Sequence, residues 1–289
     1  ENHILPLDKK KLHTIGVIGP NADSRKALVG NYEGTSSRYI TVLEGIEDYV
    51  GENVRVLYSE GCHLYRDRTS NLAMEHDRDS EVRAVCEASD VVIAVVGLDA
   101  TLEGEEGDTG NEYGSGDKPN LNLPGLQPDI IRIAKESGKP VIVVLLAGSA
   151  MALSWEDEHV DAILDGFYPG AQGGAAIAEI LFGGANPEGK LPITFYQTTE
   201  ELPEFTDYAM KGRTYRYMEN EALYPFGYGL SYTTYAYGNL ECVKPFDAQD
   251  GITLQVTVTN TGDREGTETL QVYVKAKREG TPNPQLKYV

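Results

Sequence analysis

The chain has 289 residues, of which 40% are hydrophobic, so it can bury at least one large core and favours two domains. Its formal net charge of −20 excludes nucleic acid and anionic membranes as partners, because either polyanion would be repelled over the whole surface. Three scattered cysteines favour a reducing compartment such as the cytoplasm. The start at Glu1 is typical of an internal position and leaves export open, so the compartment stays unassigned.

Apolar runs alternate with helix-favouring stretches through the first two thirds of the chain. The predicted strands cover residues 14–19, 53–58, 91–96, 140–147 and 160–168, and the predicted helices cover residues 42–50, 80–88, 127–137 and 174–182. Strands that alternate with helices of about 10–15 residues form mainly parallel sheets. We therefore predict an α/β fold whose mainly parallel sheet is sandwiched between helices, at residues 12–197.

The last third of the chain has a different texture. Residues 198–240 are rich in Tyr, Gly and Pro and predict an irregular extension over the α/β domain. Apolar and polar residues then alternate at 252–260 and 268–274, which predicts antiparallel strands. Because a β-sandwich needs about seven strands, residues 241–289 are interpreted as an incomplete antiparallel β-sandwich segment, of which only the start is present.

Five carboxylates fall within residues 99–108, shortly after the predicted strand 91–96. They are Asp99, Glu103, Glu105, Glu106 and Asp108. Loops at the carboxyl ends of parallel strands line the ligand crevice of such sheets. A carboxylate cluster there can hold one protonated acid beside ionised neighbours, since each negative charge opposes another. This acidic loop is the candidate chemical site, with a solvated surface loop as the alternative.

The other motifs give little support for a nucleotide-binding, nucleophilic or metal site. Residues 184–190 match GxxxxGK, but Pro187 removes a phosphate-cradling amide and Leu191 replaces the hydroxyl that magnesium would need. The glycine-rich turn 166–174 is interpreted as close packing of a tight loop. Ser149 lacks a GxSxG context and is interpreted as a helix N-cap. The five histidines lack ligand spacing, so the sequence predicts neither a metal site nor a cofactor.

Seven phrases, in their order and spacing, make the chain similar to the C-terminal α/β-sandwich domain of glycoside hydrolase family 3, the β-glucosidases and β-xylosidases. They are residues 18–22 (IGPNA), 103–108 (EGEEGD), 121–127 (LNLPGLQ), 168–174 (YPGAQGG), 183–195 (GGANPEGKLPITF), 212–217 (GRTYRY) and 224–233 (YPFGYGLSYT). The segment 241–289 resembles the start of the fibronectin-III-like domain that often follows in this family. The resemblance implies that residues 1–11 are a linker from an N-terminal TIM barrel that the chain lacks.

The resemblance implies a retaining exo-β-glycosidase that hydrolyses terminal β-linked xylose or glucose from oligosaccharides. The family's general acid/base is a glutamate three residues before an aspartate, which selects Glu105 before Asp108, with Glu103 as runner-up. Its aspartate nucleophile lies on the barrel, so the resemblance implies that this chain alone is inactive. Residues 97–105 favour a β-xylosidase over a β-glucosidase by a narrow margin, and Tyr113 is a candidate to stack on a sugar ring.

Two alternatives belong to other functional classes. The chain could act alone as a non-catalytic carbohydrate-binding module, which would bind sugar without a barrel. A Rossmann-like nucleotide-binding domain is disfavoured by the failed phosphate loop. The sequence leaves the oligomeric state open, a homo-oligomer included.

Overall fold

A parallel sheet forms the body of the protein. The computed structural model describes residues 3–105, 107, 113, 116–247, 249 and 251–273, the side chains of 243–247 excepted. The sheet strands are β1 (Thr14–Ile18), β2 (Arg55–Ser59), β3 (Val91–Gly97), β4 (Val141–Leu146) and β5 (Ala162–Asp165). They lie in the order β2-β1-β3-β4-β5, and every neighbouring pair is parallel.

The helices connect these strands and follow the last of them. They are α1 (Val42–Val50), α2 (Asp79–Glu87), α3 (Gln127–Glu136), α4 (Ser154–His159), α5 (Gly173–Leu181) and α6 (Thr214–Tyr217). In the described part of the chain, single turns of 3-10 helix lie at Lys9–Lys11, Lys26–Leu28, Gly51–Asn53 and Thr199–Glu201. Within the described residues, no helix combines the length and the apolar character that a membrane crossing requires.

The sheet separates two apolar cores. On one face, Val82 of α2 and Ile130 of α3 pack against the sheet, and on the other face Ile46 of α1 and Leu181 of α5 do so. All seven residues of β3 are buried, as a central strand covered on both faces requires. The predicted α/β class, with a mainly parallel sheet between helices, is confirmed.

The glycine-rich turn before α5 packs directly against the start of α1. Thr41 and Glu44 form a capping box that fixes where α1 begins. A Cβ on Gly174 would lie 1.8 Å from the carbonyl oxygen of Thr41, and one on Gly45 would lie 2.1 Å from the carbonyl oxygen of Gly174. Only glycine permits this approach, so the interpretation of the turn as close packing is confirmed.

The last described part of the chain forms a two-stranded antiparallel sheet of β6 (Tyr235–Asp247) and β7 (Gly251–Asn260). Strand β6 begins inside the stretch predicted to be irregular. The strand predicted at 268–274 is wrong for residues 268–273, which are not in a strand. Side chains explain the difference, because this segment is tied to the α/β domain through Lys190–Glu268 at 3.6 Å and through the Thr267 amide, which donates to Glu188 Oε1 at 2.7 Å.

Strand β5 is shorter than its predicted range of 160–168 and ends in a buried carboxyl group. Asp165 Oδ1 accepts a hydrogen bond from the Phe167 amide at 3.0 Å, while Oδ2 is buried and has no hydrogen-bond partner among the described residues. Burial raises the pKa of Asp165 to about 6, and the Phe167 amide opposes that rise. The charged form of Asp165 therefore destabilises the fold.

Replacing this carboxyl group should remove a specific pH dependence of stability. Between about pH 4 and 6 the folded protein holds a proton on Asp165 that the unfolded chain has released, so stability falls as pH rises through this window. We expect wild type to lose about 2 kcal/mol relative to Asp165→Asn between pH 4 and 7, measured by urea denaturation. Asp48→Asn, at a side chain that is 68% exposed, is the control and should track wild type. An unchanged difference between wild type and Asp165→Asn would contradict the assignment.

Candidate active site

The acidic loop lies where the strand order of the sheet reverses direction. Strand β1 pairs with β2 on one side and with β3 on the other, and the chain crosses over between them. The loops after β1 and β3 are joined there, because Asn21 Nδ2 donates to the carbonyl oxygen of Leu98 at 2.8 Å. Crevices at such switch points are the ligand sites of open α/β sheets. The acidic loop therefore leaves the carboxyl end of β3 beside this switch point.

Gln127 fixes the point at which the acidic loop leaves the sheet. Its side chain is fully buried, and its Oε1 accepts from the Gly97 amide at 2.7 Å while its Nε2 donates to the Gly97 carbonyl at 2.9 Å. Gly97 has φ of 134°, and a Cβ there would lie 2.0 Å from the Leu146 carbonyl oxygen. The final glutamine of the phrase LNLPGLQ therefore holds the end of β3, a role that its position in a helix did not reveal.

A single tight turn follows β3. Asp99 is 5% exposed, and its Oδ1 accepts hydrogen bonds from the amide and the hydroxyl of Thr101 at 2.9 and 2.5 Å. Its carbonyl oxygen accepts from the amides of Leu102 and Glu103 at 2.9 and 3.0 Å. Asp99 is therefore engaged in shaping the turn that aims Glu103 towards the neighbouring strands.

Glu103 is held by donors from two other loops. Its Oε2 accepts from the Gly148 amide at 2.7 Å and from the Tyr168 hydroxyl at 2.6 Å, and its Oε1 accepts from the Ser149 hydroxyl. Burial and the charge of Glu103 raise the pKa of Tyr168, which keeps the phenol protonated as a donor. Glu103 thus ties together the loops after β3, β4 and β5.

Ser149 and Tyr168 make contacts with Glu103 that the sequence did not predict. Ser149 was expected to cap a helix, but α4 begins only at Ser154, and the Ser149 hydroxyl instead binds Glu103. The sequence identified Tyr168 only as the first residue of the phrase YPGAQGG and gave no sign of its bond to Glu103. A glycine is needed at position 148, because a Cβ there would lie 2.7 Å from the ring of Tyr168.

The far end of the acidic loop returns to the same place. The Gly104 amide donates to the Gly116 carbonyl oxygen at 3.1 Å, which brings the two ends of the loop together. Lys118 then donates through Nζ to the Ala150 carbonyl oxygen and lies 3.3 Å from the sulfur of Met151. Burial lowers the pKa of Lys118 to about 8, and the charge of Glu103 opposes that change. Both ends of the loop are therefore fastened to the segment after β4.

Glu105 differs from Glu103 in its surroundings. Its side chain is exposed, and its Oε2 accepts a hydrogen bond from the hydroxyl of Tyr32, which comes from the loop after β1. Glu106 and Asp108 lie outside the described residues. Of the loop's glutamates, Glu103 is thus bound within the domain and Glu105 is presented outward.

Tyr113 lies at the edge of an open cleft. The cleft has a volume of about 460 Å³ and is lined by Tyr65, Arg66, Asp67, Arg68, Ser70, Asn71 and Tyr113. The rings of Tyr65 and Tyr113 have their centroids 6.1 Å apart, and burial raises the pKa of Tyr113 to about 12. Among the residues that the structure describes, no three His, Cys, Asp or Glu side chains group as metal ligands.

Comparisons with known proteins agree with this architecture. The family model for the glycosyl hydrolase family 3 C-terminal domain matches residues 1–232. The chain is 37% identical over 95% of its length to a periplasmic β-glucosidase of Salmonella typhimurium, and 34% identical over 95% to a β-xylosidase of Formosa agariphila. It spans 38% of the length of each of these relatives.

A solved structure gives the same result. The chain is similar to a β-glucosidase from Erythrobacter marinus, with a TM-score of 0.75 and 32% identity, over 91% of this chain and 37% of that one. The matched family model, the relatives and the shared fold cover the parallel sheet and the acidic loop together. The chain belongs to glycoside hydrolase family 3, as a member of its C-terminal domain.

Proposed function

We propose that this chain supplies the general acid/base, Glu105, to a retaining exo-β-glycosidase that releases terminal xylose or glucose from oligosaccharides. The observation that carries the proposal is the contrast between two glutamates of one loop. Glu103 accepts three hydrogen bonds within the domain, whereas Glu105 is exposed at the crevice. A general acid/base must give and take a proton at the substrate, so the outward carboxyl group suits the role.

The reaction proceeds in two steps. In the first, the protonated Glu105 donates its proton to the glycosidic oxygen while a carboxylate from another domain attacks the anomeric carbon and the glycosidic bond breaks. The first step leaves the sugar bound covalently to that carboxylate. In the second, the Glu105 carboxylate takes a proton from a water molecule that attacks the anomeric carbon, the bond between the sugar and the nucleophilic carboxylate breaks, and the free sugar leaves with both carboxyl groups restored. The nucleophile must come within about 5–5.5 Å of Glu105 in a retaining enzyme.

The nucleophile is proposed to lie on a TIM barrel that precedes this chain in the full-length protein. Either glucose or xylose is a candidate for the released sugar, because one relative is a β-glucosidase and another is a β-xylosidase. Tyr113 is proposed to contact the substrate from the cleft beside the acidic loop, where its ring is half-buried next to Tyr65. Residues 241–289 are proposed to begin a fibronectin-III-like domain, whose described strands are β7 and the part of β6 from residue 241 onwards.

The 289-residue chain alone should not hydrolyse glycosides, because a retaining mechanism needs both carboxyl groups. We expect no turnover of an aryl β-xyloside or an aryl β-glucoside above the buffer rate, and no heat of binding with xylobiose or cellobiose in calorimetry. Turnover would contradict the placement of the nucleophile on another domain. Tight sugar binding without turnover would favour the carbohydrate-binding module instead.

In the full-length glycosidase, Glu105→Gln should act selectively on poor leaving groups. An alkoxide leaving group needs a proton, whereas an activated aryl leaving group does not, so kcat/KM for xylobiose or cellobiose should fall about 100-fold or more. The loss for a dinitrophenyl glycoside should be about 10-fold or less.

Glu103→Gln is the matched control two residues away. This change weakens three hydrogen bonds within the domain, so we expect similar losses for both kinds of substrate and a lower melting temperature. Equal losses for both substrates in Glu105→Gln, together with a selective loss in Glu103→Gln, would assign the acid/base to the runner-up.

A further inference from the structure

We propose that Tyr32 is a positioning residue for Glu105, an inference that rests on the proposed function of that glutamate. The Tyr32 hydroxyl donates a hydrogen bond to Oε2 of the Glu105 carboxylate. Tyr32 belongs to the loop after β1, and Glu105 belongs to the loop after β3. The contact thus bridges the two sides of the switch point at which the crevice opens.

Packing does not explain the conformation of Tyr32. Its side chain is 82% exposed, so burial gives the ring little reason to adopt one orientation. Its backbone has φ of 61°, in the left-handed region that non-glycine residues seldom occupy. Conformations of this kind persist where the surrounding structure fixes them, and they concentrate at functional sites.

The loop that carries Tyr32 is fastened at both ends to the segment before α5. The Leu28 carbonyl oxygen accepts from the Gly170 amide at 2.7 Å, and the Ile40 amide donates to the Ala171 carbonyl oxygen at 2.8 Å. Residues 29–39 therefore project from a fixed base towards the crevice.

The same loop also rests on the anchor of the acidic loop. A Cβ on Gly30 would lie 3.0 Å from Cδ2 of Tyr168, so the backbone two residues before Tyr32 packs against that ring. Tyr168 is the residue that donates to Glu103. The loop that carries Tyr32 and the loop that carries Glu105 thus both contact the side chain of Tyr168, which fixes the distance between the two loops.

The hydrogen bond has a chemical consequence for a proton donor. With Oε2 bound by a phenol, Oε1 is the oxygen that carries the proton to the glycosidic oxygen. A long glutamate side chain has several rotamers, and holding it in one removes an entropic cost from the proton transfer. The phenol also stabilises the negative charge that develops on the carboxyl group as the proton leaves.

The test compares Tyr32→Phe with Tyr39→Phe in the full-length glycosidase. Tyr39 lies in the same loop, where its hydroxyl accepts from the Ser36 amide at 3.0 Å and donates to the Gly34 carbonyl oxygen at 3.3 Å. Each change removes one hydroxyl group from this loop, but only the first removes the bond to Glu105. The measured quantity is kcat/KM, which reports the steps through glycosylation.

We expect Tyr32→Phe to lower kcat/KM about 10-fold for xylobiose or cellobiose and less than about 2-fold for the dinitrophenyl glycoside. Tyr39→Phe should change both values by less than about 2-fold. Equal losses for both substrates, no loss, or the same pattern in Tyr39→Phe would overturn the inference. Glu105→Gln separates the two proposals: if it shows its selective loss and Tyr32→Phe does not, only the role of Tyr32 fails. If Glu105→Gln shows no selective loss, the proposed function itself fails.

Discussion

The carboxylate of Glu103 joins three loops that leave different strands of the sheet, and the arrangement of the crevice depends on it. Donors from Gly148, Ser149 and Tyr168 converge on its two oxygens. Hydrogen bonds to a charged group contribute about 1.5–3 kcal/mol each, and here they close a loop rich in glycine and acidic residues. Without this anchor, a loop of such composition would sample many conformations. At the far end of the acidic loop, Lys118 binds the segment after β4, which also carries Gly148 and Ser149.

Two glutamates two residues apart therefore have different surroundings. The domain's own hydrogen-bond donors surround the carboxylate of Glu103, while Glu105 is exposed at the mouth of the crevice and meets Tyr32 from the opposite loop. The carboxylate of Glu103 provides the rigidity, and the carboxylate of Glu105 is exposed to solvent. Catalytic groups need this kind of support, because a displacement of about 1 Å can cost a large factor in rate.

The sequence predicted the α/β class and the location of the acidic loop, because strand periodicity and the order of strands and helices are local properties. It also suggested why Gly174 is a glycine. It did not predict that Ser149 and Tyr168 bind Glu103, or that Tyr32 reaches Glu105, since these residues are 46 to 73 positions from their partners. Contacts of this kind follow from the strand order of the sheet. The segment 268–273 was misassigned because ties to the α/β domain outweigh its alternating pattern.

The proposed function requires that Glu105, and not Glu103, exchange protons with the substrate. Azide tests it directly, because a small anion can attack a glycosyl-enzyme whose base has been removed, without needing proton transfer. The measurement is the identity of the product when full-length Glu105→Ala and Glu103→Ala variants act on a dinitrophenyl β-glycoside with azide. We expect a β-glycosyl azide from Glu105→Ala and the free sugar from Glu103→Ala. A glycosyl azide from Glu103→Ala alone would contradict this expectation.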